Sequence, residues 1–394
     1  MNKYDVIIAG GGPAGCTSAA LLAQQGYKVL LLEKGQHPRF HIGESMMPEV
    51  GQIMHRLGID WSTGNIIKNG AEFIDEQSGR SLYFPLSGKY RNYQIERSVF
   101  DQKLFINAQQ QGVDARQQEA VKKVNLSSDG VQITSNKDRY QGRYFIDATG
   151  RSALMGRKQS TIKRLQKFGR FALYQHFHLA VSTTSKALFA SGNIKVLLAD
   201  IGWIWIIPLT GQRLSLGLVV QKGRPEALTN QRLFEHYTQA SPYVTELLSG
   251  SLALSDVQAE ADFSYLNQQR YGLLFACCGD ASGFLDPIFS SGFFFAVKTA
   301  ELIADRLHWG FSHGKEADPE LHAEDNQNYD IGFQTIYLLI QRFYQSDLIH
   351  NLVFEADRHP RIKKEITAIL AGELWQPDNK FQQGLLRGRR GKSL

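Results

Sequence analysis

Gly10-Gly11-Gly12-Pro13-Ala14-Gly15 sets glycines at the spacing G-x-G-x-x-G, directly after the apolar run Val6–Ala9 and ahead of a helix-forming stretch. Glycine here permits a tight turn and lets the backbone approach a pyrophosphate, whose charge the following helix N-terminus stabilises. Glu33 comes 18 residues after Gly15, at the end of a second apolar run, where a carboxylate suits ribose hydroxyls. A glycine turn alone is commonplace. Strand, turn, helix and acid together point to a bound dinucleotide, with Gly10, Gly12, Pro13, Ala14, Gly15 and Glu33 as its contacts.

Three later stretches favour FAD over NAD. Asp280, in Gly279-Asp280-Ala281 after an apolar strand, can hold hydroxyls of a ribityl chain, which NAD lacks. Asp147-Ala148-Thr149-Gly150 closes another strand with small residues that let the chain pass close to a nucleotide. Arg97 precedes the helical run Phe100–Gln111, where related flavoproteins place an arginine near the cofactor; a plain surface charge is the other reading.

These groups need elements to hold them. Tyr4–Ala9 and Lys28–Leu32 read as buried strands around a helix, Pro13–Gln25, that Gly26 stops. Residues 45–58 read as helix. Ala71–Ile74 and Ser81–Phe84 alternate as antiparallel strands do. Val121–Ile133 and Arg143–Asp147 are strand-like, as are Phe171–Leu179, Ile194–Ala199, Trp203–Pro208 and Leu214–Val220. Residues 230–249 read as one or two helices, Leu273–Cys278 as a strand, and a helix runs from Gly292 to about Leu307. Helical spacing of Phe333, Tyr337, Ile340, Phe343 and Tyr344 marks the region 320–375.

The cofactor unit is therefore discontinuous. Residues 1–65, 97–160 and 272–310 are expected to bind FAD, 66–96 and 161–271 to form a sheet-rich substrate unit, and 311–394 a helical C-terminal region.

Composition sets bounds. Hydrophobic residues at 43% and charged residues at 21% fit a globular chain with a sizeable core. The net charge of +6 leans towards acidic partners, yet the signs alternate along most of the chain, so no nucleic-acid stripe stands out. The basic exception is Arg387, Arg389, Arg390 and Lys392, which a frayed, solvated terminus explains best. Cys16, Cys277 and Cys278 lack disulfide or metal spacing, so no metal is expected and a reducing cytoplasm fits. No apolar run nears the roughly 18 residues of a membrane span.

Three further stretches carry a resemblance. Gly202-Trp203-Ile204-Trp205-Ile206-Ile207-Pro208 reads W-x-W-x-I-P. Phe284-Leu285-Asp286-Pro287-Ile288-Phe289-Ser290-Ser291-Gly292 reads F-x-x-P-x-x-S-x-G. Lys68-Asn69-Gly70-Ala71-Glu72-Phe73 reads K-x-G-A-x-aromatic. On these, residues 1 to about 375 resemble the flavin-dependent halogenases, a branch of the aromatic hydroxylase-like flavoproteins, and their pyrrole and phenol branch in particular.

The resemblance implies an α/β fold with a glutathione-reductase-type FAD domain, a mixed-sheet substrate domain and a helical C-terminal region. It implies that reduced FAD and oxygen convert chloride or bromide to an electrophile that halogenates an electron-rich ring. In that scheme Ser291 and Gly292 hold the halide at a helix N-terminus, and Trp203 and Trp205 wall the flavin off from the substrate. Two core tryptophans in a sheet are the plainer reading of the pair. Lys68, otherwise a surface charge, would be the catalytic amine that directs the electrophile.

Only one dinucleotide fingerprint occurs, so a separate NAD(P)H-dependent flavin reductase is the expected electron source. The substrate would be an aromatic small molecule or one tethered to a carrier protein. Phe293-Phe294-Phe295 departs from the family pattern and bears on substrate size. Two other chemistries share the cofactor. One is halogenase-like hydroxylation of an aromatic group, such as a partner-protein tryptophan in quinone-cofactor maturation. The other is a geranylgeranyl-reductase-type reaction.

Overall fold

The computed structural model describes residues 3–86, 88–165, 171–221, 228–261, 264–345 and 359–387. Strands from three distant stretches build its first sheet, in the order Tyr271–Gly272, Phe275–Cys277, Arg139–Asp147, Lys3–Ala9, Val29–Leu32, Asp114–Arg116. From Phe275–Cys277 to Asp114–Arg116 neighbours run parallel. Lys3–Ala9 lies at the centre, and its apolar run is the signature of a parallel strand covered on both faces. Helix Pro13–Gln24 packs between Ser291–Ser312 and Arg97–Gln110. The strands Val121–Ser127 and Gly130–Ser135 form a hairpin that continues onto Arg139–Asp147.

A second sheet runs Leu252–Ala253, Phe171–His178, Arg213–Val220, Gly202–Leu209, Ile194–Ala199, Gly70–Asp75, Arg80–Pro85. Its neighbours are antiparallel except Ile194–Ala199 with Gly70–Asp75. Both faces are buried. Ile204 and Ile206 join Leu214, Leu216, Leu218 and the helices Asn230–Gln239 and Pro242–Leu248 in one core. Trp203, Trp205, Ile207 and Leu209 point the other way, into the larger core shared with the first sheet. Period-two alternation thus sends both tryptophans to the side that faces the first sheet.

Helices Ala323–Gln345, Pro360–Ala371 and Lys380–Arg387 follow. Among the described residues no helix is long and apolar enough to cross a membrane.

Two local expectations are corrected. The helix expected over 45–58 spans only Val50–Arg56. Ser45 instead bridges to Gln94, and the Met46 carbonyl accepts side-chain hydrogen bonds, so tertiary contacts hold this stretch extended. An additional helix, Thr183–Ser191, begins on a reciprocal Ser182–Ser185 capping box and ends at Gly192 in the left-handed region. Arg389, Arg390 and Lys392 lie outside the described residues.

Candidate active site

The glycine turn is shaped by close approach. A Cβ on Gly10, whose φ is +105°, would sit 2.1 Å from the Ala148 carbonyl oxygen, and one on Gly15 would sit 1.8 Å from that of Gly10. Gly12 differs: a Cβ there meets only Arg39 Nη2, at 3.7 Å. Two glycines therefore serve the protein's own packing, while the third opens onto space at the helix N-terminus. Pro13 is the first helical residue, where its missing N–H costs nothing. Ala14 is buried one step further on.

Glu33 is buried and its carboxylate accepts from the N–H groups of Gly11 and Gly35, both at 2.7 Å. Arg39 stands 3.7 Å from it. Opposite, Asp147 Oδ1 accepts from the N–H and hydroxyl of Thr149 and Oδ2 from Met155 N–H, which folds the Asp147–Gly150 turn against Gly10.

Arg97 is no surface charge. It is buried and pairs side-on with Asp101, through Nε at 2.8 Å and Nη2 at 2.9 Å. Its Nη1 donates to the carbonyls of Ile42 and Gly43, and its guanidinium lies 5.2 Å from the Phe293 ring centroid. Asp280 sits deep but keeps some accessible surface. Burial lifts its carboxyl to about 6, against the opposing pull of Arg97 and Arg151.

Lys68 occupies the loop between Ile66–Ile67 and Gly70–Asp75 and is buried. Its ammonium donates to the Met46 carbonyl at 2.6 Å, as does the Asn92 side-chain amide at 2.7 Å. Burial alone pushes the lysine down to about 7. Among the described residues it forms no ion pair.

Trp203 and Trp205 have ring centroids 6.0 Å apart. Trp205 donates to Ser215 Oγ and lies over Gly217, where a Cβ would come within 2.1 Å of the indole. Trp203 donates to the Tyr344 hydroxyl at 2.8 Å, and that hydroxyl donates to Asp286 Oδ2 at 2.8 Å. Asp286 Oδ1 accepts from Ile288 N–H, capping the short 3-10 turn Pro287–Phe289. The turn hands over through Ser290, at φ +57°, to helix Ser291–Ser312. Ser291 is buried at its first residue.

The structure thus brings together stretches that lie far apart in sequence. Phe73, on the strand after Lys68, packs 6.3 Å from both Phe289 and Phe343. Phe343 and Tyr344, near the end of Ala323–Gln345, therefore touch the strand after Lys68, the tryptophan strand and the Asp286–Phe289 segment that precedes Ser290-Ser291-Gly292. Phe294 and Phe295 turn away from this cluster to pack on Trp375, Tyr329 and Phe333; Phe293 lies against Phe100 and Arg97.

Sequence reasoning missed Arg39, Glu44, Asn92, Asp286, Tyr344 and His176. Glu44 is buried and bonded to His176 at 2.6 Å through Oε1. No spacing rule links these residues, because each acts across a tertiary contact. The buried atoms Arg39 Nε, Glu44 Oε2, Ser45 Oγ and Arg151 Nε have no partner among the described residues. Buried polar atoms need partners. Together with the open Gly12, this donor and acceptor set fits a ligand rich in phosphate and hydroxyl groups.

The family model described as tryptophan halogenase matches residues 5–92 and 85–382. The chain belongs to the tryptophan halogenase family. Among relatives of this halogenase family, the chain is 28% identical to the 1H-pyrrole-2-carbonyl-[peptidyl-carrier protein] brominase of Pseudoalteromonas luteoviolacea (strain 2ta16), over 98% of this chain and 97% of that one. The solved flavin-dependent brominase Bmp2 superposes with a TM-score of 0.85 at 26% identity, over all of both chains. A flavoprotein/dehydrogenase from Cytophaga hutchinsonii gives the same TM-score at 25% identity, over 97% and 96% of the two chains. The expected fold and enzyme class hold, and the halogenase's cofactor is a flavin.

Proposed function

We propose that this chain is an FAD-dependent halogenase that uses reduced FAD, oxygen and bromide or chloride to halogenate an electron-rich aromatic ring. The observation that carries the reading is Lys68: a lysine enclosed without a carboxylate partner among the described residues, in the loop just before the strand Gly70–Asp75, which packs through Phe73 against the Pro287–Phe289 turn. Burying an ammonium without a counter-charge is costly, and no structural need for it is evident.

Bound FAD, once reduced and exposed to oxygen, supplies the oxidising power that turns halide into an electrophile. Gly12 and Arg39 hold its pyrophosphate, Glu33 its ribose and Asp280 its ribityl hydroxyls; Arg97 fixes the loop 42–43 beside them. Ser291 and Gly292 bind the halide at a helix N-terminus. Trp203 and Trp205, on the sheet face turned towards the first sheet, keep the ring to be halogenated apart from the flavin. Lys68 receives the electrophile there: as a neutral amine it forms an N–halogen bond with hypohalous acid and releases water, then passes the halogen to the ring.

The brominase relative is named for a pyrrole carried on a peptidyl carrier protein, which supports a tethered pyrrole as first substrate to try. A separate NAD(P)H-dependent reductase supplies reduced flavin. Aerobic assays with such a reductase, with bromide, chloride or neither, across free and carrier-bound pyrroles, phenols and indoles, test the reading by product mass. Saturable halogenation supports it. Oxygenated product without halide, and none halogenated with it, refutes it.

A further inference from the structure

Trp203, Tyr344 and Asp286 form one hydrogen-bond chain between the tryptophan strand and the Pro287–Phe289 turn that leads into Ser290-Ser291-Gly292. The Tyr344 hydroxyl both accepts from the indole and donates to the carboxylate. Asp286 is fully buried. Its two oxygens are used differently: Oδ1 sets the turn, and Oδ2 accepts from Tyr344 near the end of helix Ala323–Gln345. Phe343 beside it packs on Phe289 of the same turn, so the helix end grips the turn by an apolar and a polar contact at once.

We propose that Tyr344 is a positioning residue: it locks the tryptophan wall to the start of helix Ser291–Ser312 and thereby sets the halide affinity of Ser291 and Gly292. The proposal rests on the halogenation reading above. Losing the hydroxyl frees the turn from its tether to the sheet, and an anion held by a less fixed turn is bound more weakly.

Bromide titration of FAD-loaded protein, followed by perturbation of the oxidised flavin's absorbance, reads the effect without turnover. Tyr344→Phe is expected to weaken bromide about five- to tenfold, the loss of one buried hydrogen bond, and to leave FAD affinity within about twofold. In steady state, KM for bromide rises by the same factor and kcat changes less. Trp203→Phe cuts the chain at its other end and should weaken bromide as well, and the double variant should be no worse than Tyr344→Phe.

Bromide affinity in Tyr344→Phe equal to wild type overturns the proposal. If that variant fails to load FAD, unchanged bromide affinity in Trp203→Phe does so instead. A wild type that binds neither bromide nor chloride and forms no halogenated product sinks the halogenation reading and this one with it. Where wild type binds and transfers a halide and Tyr344→Phe matches its affinity for that halide, the positioning role fails and the halogenation reading stands.

Discussion

Lys68 Nζ donates to the Met46 carbonyl oxygen across 2.6 Å, and that neutral acceptor is its hydrogen-bond partner where a buried lysine ordinarily has a carboxylate. Burial leaves that amine's proton weakly held, at about 7.

Replacing Lys68 should separate oxidation from halogenation. Lys68→Ala is expected to bind FAD and to consume reduced flavin and oxygen, yet to yield no halogenated product by mass spectrometry. Halogenation at the wild-type rate would remove Lys68 from the chemistry.

The same lysine costs stability. Its folded-state pKa lies below that of the unfolded chain, so the unfolded state binds the extra proton between about 7 and 10.4. Stability therefore rises with pH across that window. Lys68→Met should stabilise the fold by roughly 1–3 kcal/mol at pH 7, with the gain fading towards pH 10. Thermal melts of both proteins at several pH values check the sign. A gain that grows with pH contradicts the assignment.

Gly12 and Gly10 should respond differently. Gly12→Val has room to fold and places its methyls where the proposed pyrophosphate would lie, so FAD affinity should fall at least about tenfold while the melting temperature of the apoprotein holds. Gly10→Ala meets the Ala148 carbonyl and a positive φ, and should lose fold and cofactor together. Fluorescence titration with FAD and apoprotein melts distinguish the two.

Arg97 and Asp101 are a buried pair in which each satisfies the other. Arg97→Met leaves a buried carboxylate without its partner and should cost about 3–5 kcal/mol in denaturant unfolding. A surface-like loss of under about 1 kcal/mol would show the pair to be looser than its geometry.

For a carrier-bound substrate, the basic residues Arg387, Arg389, Arg390 and Lys392 offer a test by charge. Deleting 387–394 should raise KM for an acidic carrier's substrate and flatten its salt dependence, while a free surrogate ring is unaffected. Equal turnover of free and carried rings with no salt effect on either rules the carrier out.

Much of the fold is legible in sequence because it is written in local signals. The run Val6–Ala9, the glycine turn and the alternation through Trp203 and Trp205 each declare strand, turn and face within a few residues. The site is legible only in pieces. Motif resemblance finds Lys68, Trp203 and Ser291, but not what joins them. Tyr344 reads in sequence as one more aromatic at helical spacing, and Asp286 as a residue before a proline; only the folded chain reveals the bonds between them. Arg97 reads equally as surface or site, because its partner Asp101 looks like any helical acid until burial is known. Helix Thr183–Ser191 escapes notice although Ser182 and Ser185 carry its capping signal.

Trp205 lies flat because Gly217 across from it has no side chain. A single methyl at 217 must displace the indole, which in turn leans on Trp203 and Tyr174. The position of the proposed partition is thus adjustable from the neighbouring strand without altering either tryptophan. Small residues at 217, tried in order of size, amount to a graded dial on the gap between the proposed flavin and substrate compartments.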